Sequence, residues 1–162
     1  MNAPRPSTPI LMSDPISVRT KLAAAWASFM FLYIYVDYLA LYKPGVVDDI
    51  LAGIVFEFDI SQTFVVSALT LMAIPILMIL LSTTLPARVN RTVNLVVATL
   101  YVPVSMFNAV GESWTSFYGL SIGLEVLLLA FILRSAWTWP RTPSPSMPGL
   151  VEPHRSPIRM GR

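Results

Sequence analysis

The chain alternates between long apolar runs and short polar breaks. Four runs approach the roughly 20 residues that a helix needs to cross a bilayer. They extend from about Thr20 to Tyr42, Gln62 to Leu85, Thr92 to Val110 and Thr115 to Trp139. This pattern predicts an all-α integral membrane protein, a four-helix bundle. The breaks "PARVNR" and "GESW" are short, so neighbouring helices should run antiparallel. "DISQ" ahead of the second run places Asp59 as N-cap with Gln62 three residues on, the spacing of a capping box.

Only the break over 43–60, "KPGVVDDILAGIVFEFDI", has room for structure of its own. Val46, Val47, Ile50 and Leu51 share one helical face, opposite Asp48 and Asp49, and Gly53 ends the turn. A short interfacial helix in the first outer loop fits this pattern. "IVFEFDI" then alternates apolar and acidic residues, which suits an extended segment. The plain expectation is an interfacial connector; the alternative is a lid over the outer mouth of the bundle.

Composition agrees with the pattern. Of 162 residues, 55% are hydrophobic and 12% charged, where soluble domains carry about 25% charged residues. One membrane domain is expected over 18–141. Residues 1–17 are rich in Pro and Ser and read as a disordered leader. Residues 142–162 read as a Pro-rich basic disordered tail.

Charge then sets orientation. Arg5, Arg19 and Lys21 precede the first run, Arg88 and Arg91 follow the second, and Arg134, Arg141, Arg155, Arg159 and Arg162 lie at or beyond the end of the fourth. With four spans these all fall on one side and Lys43 alone on the other, so both termini should be cytoplasmic and the protein should lie in the cell membrane. The outer side then holds Asp48, Asp49, Glu57, Asp59 and Glu112. Trp114, Tyr118, Trp137 and Trp139 stand near span ends, as an aromatic belt requires.

The chemistry is narrow. There is no cysteine, and the single histidine, His154, lies in the tail. No catalytic, cofactor-binding or metal-binding residues are expected, nor is nucleic acid as a partner. A membrane enzyme is not expected, since a nucleotide-binding loop and a serine–base pair are also missing. The expected partner is the bilayer.

What remains is polar groups at membrane depth. Asn94, Tyr101, Ser105, Asn108 and Glu112 are spaced 7, 4, 3 and 4 residues apart, which keeps them within an arc of about 60° on a helix. Such a stripe must face protein or water. It is either glue between helices or the wall of a wet pathway. Asp37 lies roughly 7–8 Å below the outer end of its span, with Tyr33 one turn deeper. Glu125 lies about 15 Å in, level with Tyr101. A carboxylate there costs a few kcal/mol unless neutralised, paired or wetted. The bland expectation is a neutral acid bonded to Tyr101 or Ser105; the sharper one is a Glu that exchanges protons or binds a cation. Tyr118 and Ser121 share its face. Gly119 and Gly123 point about 200° away and give a helix-packing face, within a subunit or between two copies of a homo-oligomer. Pro75 and Pro103 fall mid-span as kinks and free the carbonyls of Leu71 and Thr99. Kinks at a shared depth would open a cavity near Glu125.

Three stretches carry a resemblance: "FMFLYIYVDYLALYKPGVVDDILAG", "IPILMILLSTTLPARVNRTVN" and "NAVGESW". Together they resemble an uncharacterised family of small bacterial four-span membrane proteins known as a domain of unknown function. Tyr33, Asp37, Lys43, Pro44, Gly45, Arg88, Asn90, Arg91, Asn94, Asn108, Glu112 and Trp114 carry it. The resemblance implies a bacterial inner-membrane protein of four helices and no activity.

The expected function is therefore binding or passage of a small cation or proton-coupled solute through a polar interior of Tyr33, Asp37, Tyr101, Ser105, Asn108, Glu112 and Glu125. The alternative is a structural or accessory membrane protein whose polar groups only pack. Topology is directly testable. Reporter fusions after Arg91 and after the tail should read cytoplasmic and one near Asp49 external; a cytoplasmic reading at Asp49 refutes four spans.

Overall fold

A computed structural model describes residues 16–108, 111 and 113–140. The expected tail, most of the expected leader and Glu112 lie outside the described residues. The described chain is all-α apart from one small hairpin. Helix α1 spans Val18–Ala40, α2 Val46–Leu51, α3 Gln62–Thr84, α4 Ala87–Phe107 and α5 Thr115–Trp137, with strands β1 (Ile54–Val55) and β2 (Phe58–Asp59) between α2 and α3.

Local chemistry sets the boundaries. The Ser17 side chain accepts from the Thr20 N–H and starts α1. Gly45, at φ 90°, opens α2, and Gly53, at φ 85°, follows its end. The strands pair antiparallel, Ile54 opposite Asp59 and Val55 opposite Phe58. Phe56 and Glu57 form a two-residue turn whose first residue, Phe56, has φ 55°. Glycine usually fills that position, so an aromatic there is strained backbone.

Two expected boundaries are corrected. The N-cap of α3 is Ser61, which accepts from the Phe64 N–H, while Asp59 is held in β2. The break "PARVNR" is not a loop, because α4 begins at Ala87 rather than near Thr92. The cause is "LPA". A residue before proline is driven out of the helical region, and Leu85 sits at ψ 149°. Pro86 then presets φ for the next helix and is the N-cap of α4. One dipeptide ends α3 and starts α4.

Helix α1 packs along α3 and α5, and α4 packs along α5, whereas α3 and α4 meet only sparsely. The core is a stripe of α1, Leu22, Trp26, Phe29 and Tyr33, against Met78 of α3, Ala98 and Tyr101 of α4, and Leu129, Ile132 and Ala136 of α5. Around it the usual polarity is reversed. Ser82, Asn90, Asn94, Ser105, Ser121 and Glu125 are buried, while Phe31, Leu69, Leu77, Leu100 and Leu127 are exposed. A soluble domain does the opposite with its largest apolar patches. Helices α1, α3 and α5 are long and apolar enough to cross a membrane. α4 falls outside that set, for Arg88, Asn90, Arg91 and Asn94 crowd its first two turns.

At the Leu85–Pro86 junction, an amide cluster joins three helices. The Trp26 indole N–H donates to Asn94 Oδ1 at 2.7 Å, and the Ser82 hydroxyl donates to the same oxygen at 3.3 Å. Asn94 Nδ2 donates to the Asn90 carbonyl and to Asn90 Oδ1, and Asn90 Nδ2 donates to the Ser82 carbonyl at 2.6 Å. α1, α3 and α4 are thereby tied by groups that all find partners. Asn94→Leu keeps the volume and strands the Trp26 N–H. It should lower stability in detergent by about 1–3 kcal/mol, the penalty for a buried unpaired group. Thermal unfolding measures this, and Trp26→Phe, which loses packing in either background, should cost less in Asn94→Leu than in the wild type, because the hydrogen bond is already gone.

Candidate functional site

Each of the long helices α3 and α4 carries an internal proline, Pro75 and Pro103. Pro75 brings no N–H to the Leu71 carbonyl. The Tyr101 hydroxyl donates to that carbonyl from α4, so a gap in one helix is closed by a side chain of another. Tyr101 is spent in this way and is not the partner of Glu125 that its depth suggests. Its ring also joins an aromatic layer. Trp26, Phe29 and Tyr101 meet edge to face, with centroids 5.8 to 6.3 Å apart. Edge-to-face contacts of this kind are favoured by the ring quadrupole. Tyr33 lies on the next turn of α1, 5.7 Å from Phe29, and its hydroxyl accepts from Asn108 Nδ2.

Above this layer, toward the hairpin, the helices enclose a cavity of about 730 Å³. Its walls are mostly apolar. α3 contributes Phe64, Ala68, Leu71 and Met72; α4 contributes Pro103, Val104 and Phe107. Val46 and Ile50 of α2, Val55 of β1, Phe56 of the turn and Phe58 of β2 cover one end. The 43–60 segment thus occupies the position of the lid. The polar lining is sparse: Tyr33, Asp37, Ser67, Asn108, Tyr118 and Glu125. The Lys43 ammonium stands over the Tyr118 ring, 6.0 Å from its centroid.

Glu125 stands apart from the rest. It is 2% exposed, it lines the cavity, and its Oε2 has no hydrogen-bond partner. Ser105 Oγ is buried beside this carboxyl and is the hydroxyl that interacts with it, as the sequence suggested, although the pair falls short of a well-formed hydrogen bond. Asp37 is exposed and lines the same space. A buried carboxyl with an open oxygen in an apolar wall costs free energy until a donor or cation meets it.

The structure divides the expected polar interior. Tyr33, Asp37, Asn108 and Glu125 come together around the cavity, while Tyr101 and Ser105 are buried behind its lining. Asn94 belongs to the amide cluster at the other end. Among the described residues, no helix packs against Gly119 or Gly123. Both are exposed, and a Cβ at either would meet nothing within 4 Å. Sequence reasoning missed the aromatic residues Phe56, Phe58 and Phe64 of the wall, whose only signal was their nearness to the second span. It also missed Asn90 as partner of Asn94, although the four-residue spacing places both on one face.

A sequence model of a protein family, described as a family of unknown function (DUF6326), matches residues 16–143. No curated protein and no solved structure matches the chain.

Tyr101→Phe should leave the Leu71 carbonyl unsatisfied and cost about 1–3 kcal/mol. In a Pro75→Ala background the helix supplies its own donor, so the same substitution should then be close to neutral. Thermal unfolding of the four proteins, wild type, both singles and the double, reads the coupling; equal costs in both backgrounds would show that Tyr101 does not serve this carbonyl.

Proposed function

Since the chain belongs to DUF6326, a family of unknown function, membership brings no activity with it, and we propose from the site alone that this is a multi-pass membrane protein binding a small cation or proton-coupled solute. Glu125 carries this reading. It is a nearly inaccessible carboxyl with an unpaired oxygen, lining a cavity that Asp37 also lines. Opposite charge is what such a pair of acids selects.

In this proposal α4 is a fourth span beside α1, α3 and α5, and the four form a bundle. Its polar residues Asn90, Asn94, Tyr101 and Ser105 are buried, and Val96, Leu100, Met106 and Phe107 are exposed. That arrangement suits hydrocarbon outside and protein inside. Both termini lie in the cytoplasm of a bacterial cell, so the hairpin end and its cavity face outward. The aromatic layer of Trp26, Phe29 and Tyr101 lies beneath the cavity. Binding therefore needs no motion of the helices, whereas passage through the membrane needs that layer to part. No catalysis is proposed.

A structural or accessory role is favoured by a separate observation, the amide cluster around Asn94, in which every polar group is used to join helices. The two readings separate at Glu125. A carboxyl-directed carbodiimide should modify Glu125 in the wild type, with an extent that varies between about pH 5 and 9, and Glu125→Gln should fold normally and lose that modification. Wild type and variant that label alike over the whole range would leave a dry structural protein.

A further inference from the structure

We infer that the ligand of this cavity is an amphiphilic organic cation, taken sideways from the bilayer through the gap between α3 and α4 at the hairpin end. The inference rests on the cation-site reading above and adds to it the class of cation and the route.

Chemistry of the wall selects the class. A hard inorganic cation gathers about six or more oxygens at fixed distance. This cavity offers two carboxyls and a few hydroxyl and amide groups spread over apolar walls. At about 730 Å³ it is far larger than a bare ion and falls within the range of small-molecule sites, which are apolar clefts with few placed polar groups. A bulky apolar body would remove the walls from water, and an aromatic face such as that of Tyr33 attracts a positive centre, whereas the Tyr118 ring is already met by the Lys43 ammonium. The charge would then meet the open oxygen of Glu125, which now lacks a partner.

The packing selects the route. α3 and α4 are joined by Leu85 and Pro86 alone, yet they touch only sparsely along their length. All the buried residues of α3, Pro75, Met78 and Ser82, lie in its second half. Its first half buries none and faces the cavity instead with Ser67, Ala68 and Leu71. The two helices diverge from a closed junction, and the space between them is the cavity. The lid residues cover the end of the cavity, and the outer surfaces of α3 and α4 are apolar. A solute dissolved in the bilayer therefore has the more direct path.

Three probes test this on the full chain in lipid nanodiscs by equilibrium binding: tetraphenylphosphonium, its near-isostere of opposite charge tetraphenylborate, and tetramethylammonium. Tetraphenylphosphonium should bind at least about tenfold more tightly than either of the others. Glu125→Gln should weaken it by about tenfold or more, with thermal unfolding unchanged. Ala68→Phe, which narrows the gap, should slow tetraphenylphosphonium association about tenfold or more while leaving the fold intact. Tetramethylammonium binding as tightly, and also lost in Glu125→Gln, would overturn the amphiphile and leave the cation site standing. Equal binding of the phosphonium and the borate, both indifferent to Glu125→Gln, would overturn the cation site itself. Association rates of tetraphenylphosphonium, followed by stopped flow, that are unchanged in both Ala68→Phe and Phe107→Trp would overturn the lateral route.

Discussion

One hydrogen bond, from the Tyr101 hydroxyl to the Leu71 carbonyl, divides this protein in two. A carbonyl released by proline inside hydrocarbon has no water to turn to, and each such group costs several kcal/mol if left alone. The bond satisfies it and in doing so pins α4 to α3 at mid-length. On the junction side of that pin, Asn90, Asn94, Ser82 and Trp26 lock the helices with bonds that leave no spare capacity. On the hairpin side the same two helices part, and Glu125 keeps an open oxygen. Rigidity at one end makes a defined space at the other, because a cavity holds its shape only where its walls are fixed.

The distribution of polarity follows the same logic. Asn94 and Glu125 are among the most buried groups, and Leu69 and Leu100 among the more exposed. In water that would be an aggregating surface. In a membrane protein the surrounding hydrocarbon is as apolar as leucine, so polar contacts and close fit, not burial of apolar area, hold helices together. α4 is too polar on average to stand with α1, α3 and α5 as an apolar helix of membrane length, yet Asn90, Asn94, Tyr101 and Ser105 are all buried on it.

The helices were legible in sequence because their signal is length and apolar content, which single residues do not disturb. The all-α character, the short helix over Val46–Leu51 and the extended stretch after it were readable from periodicity alone. Ends were less so. Asp59 and Ser61 are both good caps, and which one serves depends on whether Asp59 is held by pairing with Ile54, a contact that sequence does not declare. Side-chain partners were least legible. Tyr101 and Glu125 share a depth, but a shared depth does not fix direction, and the Leu71 carbonyl was the nearer claim on the hydroxyl. The Gly119–Gly123 spacing is open in the same way: it marks a face where backbone can approach, not whether the helix that comes to it belongs to this chain or to a second copy.

The junction of Leu85 and Pro86 also bears on how the chain is made. If α4 spans the membrane as proposed above, two residues give the nascent chain no slack, and α4 would leave the translocon together with α3. Taken alone, α4 would insert less readily than α3, since Asn90, Asn94, Tyr101 and Ser105 add polar groups along it and Arg88 and Arg91 stand in its first two turns. α3 is almost wholly apolar and has surplus to lend. In the four-span reading proposed above, the two helices would therefore partition as one hairpin, the first drawing in the second, and the amides of α4 would meet Ser82 before they meet lipid.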